Sequence, residues 1–416
     1  MQAAHHDGIP RSTSAFLVVT TGILLAGTSL IFPLLAEVQD TFGFSTASLG
    51  LISAAAFGSA LVSGLLLSGL ADRGYTRPLM VAGSLLCAGS LLWFAAGTEV
   101  WQFVAARTLE GLGLGMFTPA VRKVMTSGGP TGPAGSGRRR VAVDAGHQLG
   151  LLVSAELGGL LVGPLLGTAL ASAVSLDAPY VLLGLLTMVA SAALLVWPLP
   201  EVERRSDRQS ALTASLRLLR VPGAAGTALL SLALFLPVGI YDALWARYLS
   251  DRGASTLFIG VTLSLYSLPV VLVAPFGGRL SDRVGPVRAA TAAMVVIVPI
   301  TVLYGSLALP VAIALIAVVE SVPQAIATPA VQTAMLRAGG DDDVAAGQGL
   351  INSLNMLGGT LVGLLAPLGY QVLGPELLFA IAGAAMAGIF AVGLLLVRRG
   401  GGHNFPADTA AAGVVR

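Results

Sequence analysis

Residues 110–125 read EGLGLGMFTPAVRKVM, and residues 320–335 read ESVPQAIATPAVQTAM. Both stretches open on a glutamate, Glu110 and Glu320, and the run Thr118-Pro119-Ala120-Val121 returns as Thr328-Pro329-Ala330-Val331 at an offset of 210 residues. The same offset relates Leu70-Ala71-Asp72-Arg73 to Leu280-Ser281-Asp282-Arg283, and Ser45-Thr46 to Ser255-Thr256. A second set of matches, Leu157-Gly158-Gly159 with Leu357-Gly358-Gly359 and Gln148 with Gln348, runs at an offset of 200. One Gly/Pro-rich insertion in the first copy, GGPTGPAGSGRRR at residues 128–140, reconciles the two offsets. The chain is a tandem duplication.

Of the 416 residues, 55% are hydrophobic and only 11% charged. A soluble domain carries about 25% charged residues, so a water-exposed surface of this size is excluded. A membrane-spanning helix needs about 20 apolar residues. That length predicts twelve helices, at 15–36, 47–70, 79–98, 100–121, 142–170 and 178–199 in the first half, and at 224–249, 256–277, 289–308, 311–336, 345–372 and 377–397 in the second. The expected fold is all-α, with two pseudo-symmetric six-helix bundles. An even number of spans per copy inserts both copies in the same orientation, an arrangement found in secondary transporters.

The basic residues orient the chain. With both termini in the cytoplasm, 20 of the 23 Lys and Arg residues fall on the inner side, and only Arg247 and Arg252 fall outside. Arg107 lies within a span. This asymmetry predicts cytoplasmic termini. The expected organisation is an N-terminal bundle at 1–199, a cytoplasmic linker at 200–222, and a C-terminal bundle at 223–416 ending in a short cytoplasmic tail. The first apolar run, 15–35, is long enough to span and has no cleavage pattern after it, so no removable leader is expected.

Enzymatic chemistry finds no support. No nucleophile–base or metal-ligand constellation is visible, and the lone Cys87 sits in an apolar run and reads as a small core residue. No phosphate-binding G-x-x-x-x-G-K-[ST] stretch is present, so ATP is not the expected energy source and no cofactor is expected beyond a proton gradient. Arg138-Arg139-Arg140 reads as an inner-side anchor and not as a nucleic-acid contact. The 22 arginines against one lysine suggest a GC-rich bacterial source.

Three motifs resemble those of the major facilitator superfamily, in particular its twelve-span drug/proton antiporter branch. The first is the loop pattern G-x-x-x-D-R-x-G-x-R, present in the second half as Gly278, Asp282, Arg283, Gly285 and Arg288. The first-half copy keeps Asp72, Arg73 and Arg77 but has Ser68 and Tyr75 at the glycine positions, with Gly69 and Gly74 beside them. The resemblance implies a conformational latch built on Asp72, Arg73, Arg77, Gly278, Asp282, Arg283 and Arg288. The second motif is Arg107-x-x-Glu110-Gly111-x-Gly113-x-Gly115. In the family its arginine is linked to proton coupling; here Glu110 stands where a glutamine is usual. The third is Gly159-x-x-x-Gly163-Pro164-x-x-Gly167, with Thr168 in place of the final glycine. In the family this fifth-span element marks exporters.

Intramembrane carboxylates are functional candidates by default. Glu156 ranks first by its depth and its nearness to the third motif, Asp242 second, and Glu110 and Glu320 next. Arg107 and Glu110 stand three residues apart on one helix face and can pair. Trp93, Trp101, Trp197 and Trp245 fall near span ends, as interfacial aromatics do; Trp245, Tyr241 and Tyr266 can alternatively line a cavity. The expectation is proton-coupled efflux of small amphipathic or cationic organic compounds, by a monomer in a bacterial plasma membrane whose partners are its substrate, protons and lipid. The alternative is proton-coupled uptake or facilitated diffusion of a sugar or organic acid.

Overall fold

The computed structural model describes residues 9–127, 136–200, 211–339 and 344–400. Among these no strand occurs, and thirteen helices follow in order. They are α1 (Arg11–Ser29), α2 (Ile31–Phe42), α3 (Thr46–Asp72), α4 (Thr76–Ala96), α5 (Val100–Thr126), α6 (Ser136–Ala173) and α7 (Ala178–Val196). The short α8 (Ala211–Leu218) precedes α9 (Pro222–Ser250), α10 (Thr256–Val284), α11 (Pro286–Tyr304), α12 (Pro310–Gly339) and α13 (Val344–Arg399). Helices satisfy every backbone group internally, which a hydrocarbon environment demands. Ten segments among the described residues are long and apolar enough to cross a membrane. Large apolar side chains such as Leu66, Val189, Val196, Val295 and Val372 lie exposed on their surfaces, as lipid contact requires.

Two differences from the expected spans have local causes. The first expected span is divided at Leu30, whose φ of −64° and ψ of −22° are still helical. Pro33 cannot donate to the Ser29 carbonyl, so the hydrogen-bond ladder is interrupted there. Conversely, the last two expected spans run together as α13. The break between them is Gly374, at φ 77° and ψ 171°, followed by Pro375. A side chain would strain that conformation, and proline suits the start of the next helical segment. α5 falls outside the ten apolar segments, for it carries Arg107, Glu110, Arg122 and Lys123.

The chain divides into two compact units. Unit 1 comprises Met1–Arg208 with Trp245–Ser250 and Ala254–Ser264; unit 2 comprises Gln209–Leu244, Asp251–Gly253 and Leu265–Arg416. Residues 201–210 of the expected linker lie outside the described residues.

In unit 1, α5 packs against α3 and α4, α4 against α7, and α1 against α6. Its core residues gather in two clusters, one with Leu30, Leu34, Phe94 and Phe103 and the other with Leu17, Met80, Phe117 and Val121. Helices in lipid gain little from hydrophobic exclusion and associate through close packing of small residues. The α1–α6 seam shows this. A Cβ at Gly159 would lie 2.7 Å from the Gly22 carbonyl oxygen and 2.8 Å from the Ala26 nitrogen. Ser29 Oγ donates to the Gly159 carbonyl across the seam at 3.1 Å.

In unit 2, α11 packs against α12 and α13. A core of Leu230, Leu234, Met294, Ile297, Met335 and Phe390 joins α9, α11, α12 and α13.

Candidate functional site

The two glutamates that open the repeated stretch are both buried, and their surroundings differ. Glu110, on α5, is 2% exposed and pairs with Arg107 one helical turn earlier, Nη1 to Oε2 at 2.7 Å. The Arg107 guanidinium also lies over the Phe32 ring at 5.7 Å. A buried charge must be paired or hydrated, and here one helix supplies both signs. Cys87, a free and buried thiol, donates to the Glu110 backbone carbonyl at 3.7 Å.

Glu320, on α12, is fully buried. The position equivalent to Arg107 is Ala317, and among the described residues no Lys or Arg pairs with Glu320. Two phenols take the place of the cation. Tyr241 on α9 and Tyr304 on α11 each donate a hydroxyl to Glu320 Oε2 at 2.5 Å. Tyr266 on α10 stands edge-on to Tyr241, with ring centroids 5.4 Å apart. The other oxygen, Oε1, is buried and meets no protein donor. One turn further along α12, Gln324 donates its amide to the Leu234 carbonyl of α9 at 2.9 Å. Sequence reasoning singled out Tyr241, Tyr266 and Glu320 separately; it missed Tyr304 and Gln324. Only the 3.6-residue period relating Gln324 to Glu320 was available as a signal.

The remaining candidates lie apart from this cluster. Asp242 is buried on α9, next in sequence to Tyr241. Glu156 on α6 accepts from Arg122 Nη2 through both carboxylate oxygens, at 3.0 and 3.1 Å. That pair is partly open, with side-chain exposures of 49% for Arg122 and 20% for Glu156. Asp40 and Arg247, both in unit 1, pair at 2.5 Å. They adjoin a cleft of about 300 Å³ lined by Pro33, Glu37, Asp40, Ser250 and Thr256. Trp245 is buried and donates to Thr262 at 3.4 Å; Trp93 and Trp101 are exposed and meet edge to face at 6.2 Å.

The exporter-like motif forms the α6 side of the α1–α6 seam. Gly159, Gly163 and Gly167 face Leu25, Ala26, Ser29 and Leu30 of the α1–α2 region. Thr168 Oγ1 donates to the Pro164 carbonyl at 2.8 Å.

In the loop motif, Gly285 takes φ 94° before α11, while the first half reaches a matching φ of 93° at Gly74, one residue early. The displaced glycine thus still supplies the turn, and Tyr75 is spared it. Arg77 donates to the Leu195 and Trp197 carbonyls at the C-terminal end of α7, at 3.2 and 2.6 Å, where a cation is favoured by the helix dipole. Asp282 pairs with Arg337 at the end of α12, at 3.5 Å. Arg73 caps α3, Arg283 lies in the last turn of α10 and Arg288 in the first turn of α11. Gly278 has open space around it. The side chain of Asp72 lies outside the described residues.

Comparison with known proteins follows the same lines. The family model described as Major Facilitator Superfamily matches residues 17–244 and 224–413. The chain is 27% identical to "Multidrug resistance protein MdtG" of Enterobacter lignolyticus (strain SCF1), covering 76% of each chain. It is 25% identical to the protein of the same name from Citrobacter koseri, covering 66% of this chain and 67% of that one. Two solved structures share the fold. One is a bacterial homologue of the human lysosomal transporter Spinster in an inward-facing, occupied conformation, with TM-score 0.69, 13% identity, and coverage of 94% and 95%. The other is the nucleoside transporter NupG, with TM-score 0.71, 13% identity, and coverage of 92% and 98%.

Proposed function

This chain belongs to the major facilitator superfamily, and we propose that it exports small amphipathic or cationic organic compounds in exchange for protons. It is a multi-pass membrane transporter and not an enzyme. The observation that carries the coupling proposal is Glu320, a fully buried carboxyl held by two tyrosine hydroxyls and no cation. Desolvation disfavours the charged form of a carboxyl group, so such a group is suited to take up a proton and release it. Glu110 has a built-in counter-charge at 2.7 Å and suits a fixed structural role. Efflux as the direction is supported by the fifth-span motif Gly159-x-x-x-Gly163-Pro164 and by the relatives named as multidrug resistance proteins.

The ten apolar segments, with α5 added and α13 divided at Gly374, make twelve spans. We assign them to bundles at 1–199 and 223–416 joined by the linker at 200–222, with both termini in the cytoplasm of a bacterium. The protein works as a monomer by alternating access, with the proton gradient as its energy source. Asp72, Arg73, Arg77, Gly278, Asp282, Arg283 and Arg288 act as its latch. Glu156 and Asp242 contribute to the substrate path.

The experiment uses protein in liposomes loaded with a pH-sensitive dye. Lipophilic cations and neutral antibiotics are added under an imposed proton gradient, to wild type and to Glu320→Gln. Proton movement on adding a compound, lost in the variant, is the expected result. Silence across the panel, with tracer sugars or organic acids moving down their gradients, would replace efflux by uptake or facilitated diffusion.

A further inference from the structure

We infer that Glu320 carries its proton on Oε1 and that Gln324 is the positioning residue that receives this O–H. The inference rests on the reading of Glu320 as proton carrier and adds where the proton sits and what holds it there.

Glu320 Oε2 already receives two phenolic hydroxyls, while Oε1 is buried with no protein donor. Gln324 is 9% exposed, and its Oε1 is likewise buried with no protein donor. The orientation of its amide follows from chemistry: the Leu234 carbonyl can only accept, so the group facing it at 2.9 Å is the NH2. The amide oxygen is therefore on the other arm. Residues four apart on a helix are neighbours on one face, with Cβ atoms about 5–6 Å apart. Two acceptors without donors thus share one face of α12.

One proton resolves both. Placed on Glu320 Oε1, it turns that atom into a donor and gives Gln324 Oε1 its hydrogen bond. Oε2 is then the carbonyl oxygen of the neutral acid, accepting from Tyr241 and Tyr304. Removing the proton sets two acceptors against each other in a low-dielectric site, where an unmet polar group is costly. Discharge of Glu320 therefore requires one of the two side chains to turn away or water to reach them. The titratable groups around the carboxyl are Tyr241 on α9, Tyr266 on α10 and Tyr304 on α11.

The duplicated half supports this by contrast. The first copy has Arg107 three residues before Glu110 and Leu114 four residues after it; the second has Ala317 and Gln324 in those places. One set stabilises an ionised carboxylate, the other a neutral acid.

Infrared difference spectroscopy of the full chain in lipid nanodiscs tests the assignment without any substrate. Acid-minus-alkaline spectra are expected to contain a protonated-carboxyl carbonyl band that Glu320→Gln deletes. In Gln324→Met that band is expected to move to higher frequency, because the O–H has lost its acceptor. Gln324→Asn, which keeps an amide but withdraws it by one methylene, is expected to move it the same way should the methionine variant not fold. A Glu320 band that stays in place in a folded Gln324 variant overturns the inference and leaves the proton carrier standing. A spectrum with no Glu320-dependent band overturns both.

Discussion

Arg107 and Glu110 meet at 2.7 Å with each side chain 2% exposed, so one turn of α5 carries a buried ion pair. Removing one partner of a buried pair leaves an uncompensated charge, at about 3–5 kcal/mol, whereas replacing both by apolar groups is often near neutral. Arg107→Leu and Glu110→Leu are each expected to lower thermal stability by that order. The double variant should recover most of the loss. A double-mutant cycle on melting in detergent measures this; two additive single losses would count against a coupling between the two charges.

The tyrosines around Glu320 report its charge state. A hydrogen bond to a neutral group contributes about 0.5–1.5 kcal/mol, and one to a charged group about 1.5–3 kcal/mol. Tyr241→Phe and Tyr304→Phe are each expected to destabilise by the smaller amount when melted at neutral pH. Losses in the larger range would mean that Glu320 is ionised at rest.

Adjacent glycines on α6 give opposite expectations. A Cβ at Gly159 would meet the Gly22 carbonyl at 2.7 Å, while at Gly158 nothing lies within 4 Å. Gly159→Ala forces the α1–α6 seam apart, at about 1–3 kcal/mol. Gly158→Ala relieves a flexible helical position, worth up to about 1 kcal/mol in the stabilising direction. Melting the two variants side by side checks the seam; equal effects would refute it.

Arg122 and Glu156 make two contacts, yet the arginine side chain is 49% exposed. An exposed pair contributes less than about 1 kcal/mol. Arg122→Gln should therefore leave the melting temperature within a few degrees of wild type, a shift of about 2–4 °C per kcal/mol at most for a large chain. A larger drop would assign this pair a structural load that its exposure does not explain.

The sequence displays what repeats and what is periodic. The duplication, the long apolar runs and the three motifs are all visible in it, and so is the nearness of Arg107 to Glu110, because helix geometry brings residues three apart together. Contacts between distant segments have no such signature. Tyr241 stands 79 residues from Glu320 and Arg122 stands 34 from Glu156, and nothing local announces either approach. The shifted glycine of the first loop motif was legible as a departure, but only its φ of 93° tells that Gly74 still makes the turn.

Cys87 has a practical bearing. The residue is 3% exposed and its thiol donates to the Glu110 carbonyl, and buried structural thiols react slowly. The native chain is therefore already close to a blank background for thiol labelling. Spin or fluorescent reporters attached to introduced surface cysteines will mark only their intended sites, and motion can be followed without first altering the residue that packs against α5.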